Sequence, residues 1–570
     1  MSTLNLARVV TAAYTVALVI ALLGLRPGCV QLVVWASQEK SDLLGRIADR
    51  YELTRPSQDF RCVDIKVVRK ASGEAEQALA REVFESNEAR PDVWSPAANT
   101  WVDLLEQHRR DSGLPTFVPA ERGPSIVTSP LVIAMPEPMA TALGWPTKQI
   151  SWLEIFGLAQ DPQGWASRGH PEWKRFKLGK TNPLISTSGL HALIATYRMA
   201  GGGPIGDPSV RAYMKGVESS VEHYGPTVSG FLKNLANADD NREALSYVSA
   251  IAMEEYQVWQ YDDGNPEFRS DGKRLPPQIP LVAVYPKEGT LLADHPYVVL
   301  DAPWVGQEEK RAAASFLAHL KSDAIQDEFK AAAFRGALGE TGPVIEQSAY
   351  LKGFNPNTLL TRPEPAKLAQ IQAAWTDYRK KARVLFVLDV SASMGDRLGA
   401  ASASKLDLAK QAWTAALKEF APDDQVGLWT LAGTDRRELL DIGPLRDQEA
   451  QLRADIERLN PEGTGRSLYA TVAAAVGSVR QRFDPDRINA VILLTDGRND
   501  DPASSSLNTL LRSLRAQPED ERVRIFTITY GAGADSEALT NIALASLGVR
   551  YDAADTSVIG RAVLDAVSNF

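Results

Sequence analysis

The sequence predicts an α/β protein of two modules, each built on strands alternating with helices, behind an apolar N-terminal segment. Three observations carry this expectation. From Val30 onward, short apolar runs alternate with amphipathic ones (VQLVVWA, KSDLLGRIADRYE, VDIKVV, EAEQALAREVFE), a pattern that favours a doubly wound parallel sheet with helices on both faces. The alternation starts afresh at Val384, after a break at Arg362-Pro363-Glu364-Pro365. At 570 residues the chain exceeds what one hydrophobic core serves, and two to four folding units are expected.

The N-terminal segment is the first element. Arg8 precedes an uncharged run of about seventeen residues, Val9 to Leu25, close to the roughly 20 residues of a spanning helix and longer than most signal-peptide cores. Arg26-Pro27-Gly28-Cys29 offers no small-x-small cleavage site and suits a lipoprotein signal poorly. An uncleaved membrane anchor over residues 1–28 is therefore expected, with a cleaved signal as the alternative. Arg8 on the inner side agrees with the positive-inside rule and places the bulk of the chain outside the cytoplasm at the cell membrane.

The two cysteines each stand directly before a strand-like run, Cys29 before VQLVVWA and Cys62 before VDIKVV. If these runs are neighbouring parallel strands, the matched offset brings both sulfurs to one end of the sheet. A disulfide is expected, permitted by export to an oxidising compartment. Two separate buried thiols are the competing reading.

Further along, PDVWSP supplies a third strand end, and IVTSPLVIAMP from about Ser125 crosses into a region rich in Trp, Pro and Gly. Strand-like sequence resumes at LVAVYPKEG near Leu281, and helix-like sequence runs from Glu308 to Phe329. A discontinuous two-lobed domain over 29–350 accounts for this order. Lobe 1 takes about 29–128 and 275–350, and lobe 2 about 129–274. Residues 351–382 form a linker with a short helix from Ala366 to Arg379, and 383–570 form the second module.

A formal charge of −9 argues against nucleic acid as a partner, because binding a polyanion needs a basic surface that displaces counterions. Nor is catalysis expected. The six histidines show no metal-ligand spacing, and no Gly-x-Ser-x-Gly, Walker loop or dinucleotide fingerprint occurs.

The second module carries the sharpest chemical pattern. A fully apolar strand, Val384 to Leu388, ends in Asp389, Ser391 and Ser393, where an open α/β sheet places its ligand crevice. NPEGTGRSLYATVAAAV sets Thr464 in a Gly-rich loop that opens a helix, and AVILLTDGRND sets Asp496 at the end of another buried strand. Carboxylate and hydroxyl oxygens suit a hard divalent ion, Mg²⁺ first, with Mn²⁺ or Ca²⁺ as alternatives. Asp500 and Asp501 read as a solvated acidic loop. The set Asp389, Ser391, Ser393, Thr464 and Asp496 resembles the metal-ion-dependent adhesion site of von Willebrand factor A domains. That resemblance covers Arg383 to Phe570 and implies a Rossmann-like doubly wound fold. It also implies direct coordination by Ser391 and Ser393, carboxylates acting partly through water, and an open position taken by an acidic side chain of a protein partner.

Residues 29–350 resemble the extracellular solute-binding proteins of the type 2 periplasmic class. The resemblance is carried by VVWASQEKSDLL, RPDVWSPAANTW, TSPLVIAMP, KTNPLISTSGLHAL, MEEYQVWQYD and VYPKEGTLLADHPYVVL. It implies a small-molecule solute held between lobes, where hydroxyls and helix N-termini suit oxyanions. Ser37, which could cap a helix beginning at Lys40, is a candidate, as are Ser95, Ser186, Thr187 and Ser188, with Tyr256 and Tyr285 as aromatic lining. Plain helix caps, worth about 1 kcal/mol each, are the alternative for the hydroxyls, and core packing for the tyrosines. His191 reads as a solvated helix residue. The expected function is a membrane-anchored binding protein that engages a partner through metal. The alternative is a solute receptor for transport or sensing, with the C-terminal domain as docking module.

Overall fold

The computed structural model describes residues 28–54, 57–58, 61–84, 88–269, 272–351, 358–397, 403–433, 435–501 and 506–570. The run Val9 to Leu25, and with it the expected anchor, lies outside the described residues. Among the described residues no helix is long and apolar enough to cross a membrane. The chain divides into two compact units. One takes the residues up to Pro130 with Leu292–Ser348 and Arg362–Ala369, and the other takes Leu131–Leu291, Ala349–Thr361 and Gln370–Phe570.

The first unit is built on a five-stranded sheet in the order Val298–Val299, Val93–Ser95, Val30–Ala36, Arg61–Arg69, Ser57–Gln58. Val30–Ala36 runs parallel to both its neighbours, while the two short edge strands are antiparallel. The sheet is thus mixed, not wholly parallel as expected. After the first strand the chain turns into the helix Gln38–Leu53, whose buried Leu44, Ile47, Ala48 and Tyr51 recur at helical spacing. Val30 pairs with Val63, so the residues one step before them, Cys29 and Cys62, meet. They form the expected disulfide, with Cα atoms 4.3 Å apart.

The second unit contains two sheets. In the smaller, Ser129–Pro136 pairs antiparallel with Ala250–Glu254 and Leu281–Val284, and Leu178–Gly179 completes one edge. The larger has six strands in the order Asp435–Pro444, Gln425–Ala432, Lys381–Asp389, Arg487–Thr495, Arg524–Tyr530, Arg550–Ala553. All are parallel except the edge strand Asp435–Pro444. The chain winds outward from Lys381–Asp389 in one direction, then returns to its other side with Arg487–Thr495. The strand order therefore reverses between these two, which is where a doubly wound sheet opens its crevice.

Alternation along the central strands explains why they read as continuous apolar runs. Val384, Phe386 and Leu388 enter one hydrophobic cluster, and Leu385 and Val387 enter another on the opposite face. The first cluster does not stop at the sheet. It continues through Trp413 and Val563 to Ile371, Trp375 and Tyr378 of the helix Pro365–Tyr378, and on to Tyr224, Trp165 and Met214. One buried ion pair locks the end of that helix to the sheet. Arg379 pairs with the fully buried Asp424, whose Oδ1 also accepts the backbone N–H of Ala382 at 2.7 Å. Backbone and side-chain bonds from the chain terminus add to this: the Tyr224 N–H donates to the Asn569 carbonyl at 2.9 Å, and Asn182 Nδ2 donates to that of Ser568 at 3.3 Å.

The disulfide closes a 33-residue separation, and on the chain-entropy model it stabilises the first unit by about 3 to 4 kcal/mol. Cys29→Ala/Cys62→Ala is expected to lower the denaturant midpoint of that unit accordingly. An unchanged midpoint would show that the link adds no stability.

Candidate functional site

Asp389 and Asp496 end the two central strands on either side of the order reversal, so the fold itself sets two carboxylates side by side. Asp389 is fully buried and Asp496 nearly so. The Asp389 carboxylate is hydrogen-bonded through both oxygens. Its Oδ1 accepts the Ser391 N–H at 2.8 Å, while Oδ2 accepts the Thr495 hydroxyl at 2.6 Å and Arg466 Nε at 2.7 Å. The Ser393 hydroxyl donates to Asp496 Oδ1 at 2.8 Å, and the Ser391 and Ser393 oxygens lie 3.2 Å apart.

At the centre of this cluster is the Arg466 guanidinium, almost wholly buried. Besides Asp389 it reaches Ser391 Oγ at 3.1 Å, Asp496 Oδ1 at 2.9 Å, Asp500 Oδ2 at 3.1 Å and the Ser393 hydroxyl. A second cation, Lys405, donates to the other Asp496 oxygen at 2.8 Å. The Tyr530 hydroxyl donates to the Lys405 carbonyl at 3.0 Å. Burial, with the Asp496 charge nearby, pushes its phenol well above the ordinary value, so it stays a neutral donor. Gly497 makes room for the guanidinium: a Cβ there would stand 1.7 Å from Arg466 Nη1.

Four of the five expected metal-site residues are brought together: Asp389, Ser391, Ser393 and Asp496. Thr464 is not among them. Gly463 and Gly465, both with positive φ, flank it and hold it exposed on the loop, while Arg466, two residues on, turns inward. The buried hydroxyl of this loop is Ser467, which precedes the helix Leu468–Gln481 and donates to Asp501 Oδ2 at 2.5 Å. Asp500 is exposed as expected yet pairs with Arg466, and the half-buried Asp501 accepts from Ser467. Arg466 escaped the sequence reading because a lone arginine in a Gly-rich loop reads as solvated. Its signal was the position itself, two residues before a helix start and opposite two strand-end aspartates. Among the described residues no cluster of three or more His, Cys, Asp or Glu is arranged to hold a metal ion.

The expected solute residues are buried in their own units. In the first, Ser37 precedes the helix Gln38–Leu53, which starts two residues before the expected Lys40, yet Ser37 makes no side-chain cap. Its hydroxyl instead accepts the Lys40 ammonium at 2.8 Å. That fully buried ammonium also donates to the carbonyls of Ser95 at 2.8 Å and Pro96 at 3.1 Å, and lies 3.2 Å from His295 Nδ1. The Ser95 hydroxyl donates to the Pro296 carbonyl at 2.7 Å. Lys40 was missed because a lysine in the first turn of a helix ordinarily snorkels to water. In the second unit Ser186, which precedes the helix Thr187–Met199, accepts the Thr181 hydroxyl at 2.9 Å, and Thr187 and Ser188 are buried in its first turn. Tyr256 is buried, and the Tyr285 hydroxyl donates to Glu255. His191, expected in solvent, is buried at 1% exposure because this helix is enclosed along most of its length.

The polar cluster thus sits at the order reversal of a doubly wound sheet, where such sheets hold their ligands. The sequence profile of the bacterial extracellular solute-binding proteins matches residues 32–335, and the chain belongs to that family. A von Willebrand factor type A domain matches residues 384–499. Uncharacterized proteins of two strains of Mycobacterium tuberculosis are 23% identical over 544 residues, covering 92% of this chain and 74% of theirs. Among solved structures, a periplasmic thiamin binding protein is 12% identical with a TM-score of 0.41, covering 62% of this chain and 96% of that one. A von Willebrand factor type A protein from Catenulispora acidiphila is 18% identical with a TM-score of 0.28, covering 33% of this chain and 42% of that one. The two domains together support an extracytoplasmic binding role.

Removing Arg466 would leave buried carboxylates uncompensated, which typically costs about 3 to 5 kcal/mol. Arg466→Ala is expected to lower the thermal midpoint in chelator and to recover most of the loss in millimolar Mg²⁺, with a larger Mg²⁺ response than the wild type. Equal midpoints with and without Mg²⁺ in both proteins would count against a cation-accepting cluster.

Proposed function

We propose that this chain is a membrane-anchored, extracytoplasmic binding protein whose C-terminal domain engages a protein partner through a divalent ion. The observation that carries this reading is the convergence of Asp389, Ser391, Ser393 and Asp496 oxygens on one cation, the Arg466 guanidinium. An all-oxygen set of two carboxylates and two hydroxyls fits a hard ion, Mg²⁺ first, with Mn²⁺ or Ca²⁺ as the other choices. It fits once Arg466 withdraws, because the guanidinium and the ion need the same oxygens.

In this reading Asp389 and Asp496 supply the charge, Ser391 and Ser393 the neutral oxygens, and Lys405 steadies Asp496. Thr464 is exposed on the adjoining loop, accessible to a partner. A bound ion would supply an electrophilic point for an acidic side chain of that partner, and a released Arg466 a second one. The residues act by binding and orientation, and no catalytic step is assigned to them. The apolar run Val9 to Leu25 is the proposed anchor, with the bulk of the chain outside the cell membrane.

Crosslinking followed by purification, in Mg²⁺ and in chelator, tests the partner. Capture in Mg²⁺ that is lost in chelator and in Ser391→Ala/Ser393→Ala, which keeps both carboxylates, is expected. Capture indifferent to both changes would overturn the metal-mediated reading.

Membership in the solute-binding family favours a second role, small-molecule reception by the N-terminal domain with the C-terminal domain as docking module. Thermal shifts across small oxyanions and sugars are expected to give at least one saturable stabilisation, since a ligand held only by the folded state raises its stability. A flat response across the panel would count against it.

A further inference from the structure

Within the second unit, a cavity of about 980 Å³ opens between residues 159–177 and 219–222 on one side and 480–489 and 520–524 on the other. Its wall reverses the sign of the protein. The whole chain carries 71 acidic against 62 basic residues, whereas nine lysines or arginines line this cavity against five aspartates or glutamates. The cations come from both sides. Lys177 and Arg175 belong to the segment before the short strand Leu178–Gly179, Lys380 lies between the helix Pro365–Tyr378 and the central sheet, and Arg482, Arg522 and Arg524 belong to the six-stranded domain.

The carboxylates of the wall offset this charge only in part: Arg480 pairs with Glu521 at 3.4 Å and Arg524 with Glu222 at 3.5 Å, while Lys177 donates to the Ser246 carbonyl at 2.6 Å. Glu222, half-buried, is the carboxylate that several of these cations share. Burial works against its ionisation, yet Lys380, Lys177 and Arg524 hold it down to about 2. It meets Arg524 at only 3.5 Å, and the other Arg524 nitrogen is spent on the Leu547 carbonyl at 2.5 Å. Burial pushes the Lys177 ammonium down to about 8; Glu222 opposes this, while Arg524, Arg522 and Lys174 add to it. Lys380 is lowered by burial and by Arg524 against the pull of Glu222. Arg522 Nε is buried with no hydrogen-bond partner among the described residues. Mutual repulsion at this density is ordinarily kept in a fold for a ligand that relieves it.

We propose that this cavity binds a small polyvalent anion of phosphate chemistry, bridging the lobe and the six-stranded domain. The volume suits a phosphorylated small molecule better than a lone phosphate, since drug-sized ligands occupy roughly 300 to 1,000 Å³. Arginine forks from Arg522 and Arg482 match phosphate oxygens bidentately, while Lys177 and Lys380 act as point charges.

Isothermal titration of the full chain with sodium tripolyphosphate, in chelator so that the metal site plays no part, tests this. Saturable binding is expected, weakening at least tenfold in Arg522→Gln and in Arg482→Gln and falling as salt rises. Arg482 is exposed, so its variant keeps the test valid if Arg522→Gln proves unstable. Absence of saturable heat, wild-type affinity in a folded Arg482→Gln, or equal weakening by Lys310→Gln in the other unit would each overturn the proposal.

Discussion

Two aspartates buried at the ends of adjacent parallel strands cannot stand without a cation. Asp389 and Asp496 are brought together by the order reversal of the six-stranded sheet, which no local change of sequence can undo without rebuilding the fold. The low-dielectric surroundings make an uncompensated pair costly. In the structure an internal guanidinium meets that demand, assisted by Lys405. Every other feature of the site answers to it: the positive φ of Gly463 and Gly465, the missing side chain at Gly497, and the Thr495 and Ser391 donors that hold Asp389 in place.

A tethered cation and a divalent ion are alternative solutions to the same electrostatic problem. On the function proposed above the two compete: ion binding would require the arginine to leave, and its departure would expose a charge beside the ion. That exchange would couple metal occupancy to the shape and charge of the surface offered to a partner. Its setting reinforces the point, because one continuous hydrophobic cluster runs from the central sheet through the helix Pro365–Tyr378 to Tyr224 and Trp165. The C-terminal domain is packed onto the preceding lobe and not strung behind it, and the basic cavity lies within the same unit.

Much of the framework was legible in the sequence because it follows from patterning. VQLVVWA is the strand Val30–Ala36, the matched offsets of Cys29 and Cys62 did translate into a bond, and the apolar run Val384 to Leu388 lies within the strand Lys381–Asp389. The site was legible where it depended on strand ends, as at Asp389, Ser391, Ser393 and Asp496. It was illegible where it depended on backbone handedness. The inward residue of GTGRS is Arg466, and Thr464 lies outside the cluster because two left-handed glycines decide which side chain faces it. Buried cations were missed for a related reason. Lys40, Lys177 and Arg466 look like surface residues until tertiary packing supplies their acceptors, and His191 looked solvated until its helix proved enclosed.

Paired crystal structures of the full chain, one grown in chelator and one in millimolar Mg²⁺, address the competition at Asp389 and Asp496 most directly. An ion held among Asp389, Ser391, Ser393 and Asp496 with Arg466 withdrawn, against Arg466 seated there in chelator, is the expected result. Arg466 seated identically in both, with no ion beside it, would contradict it.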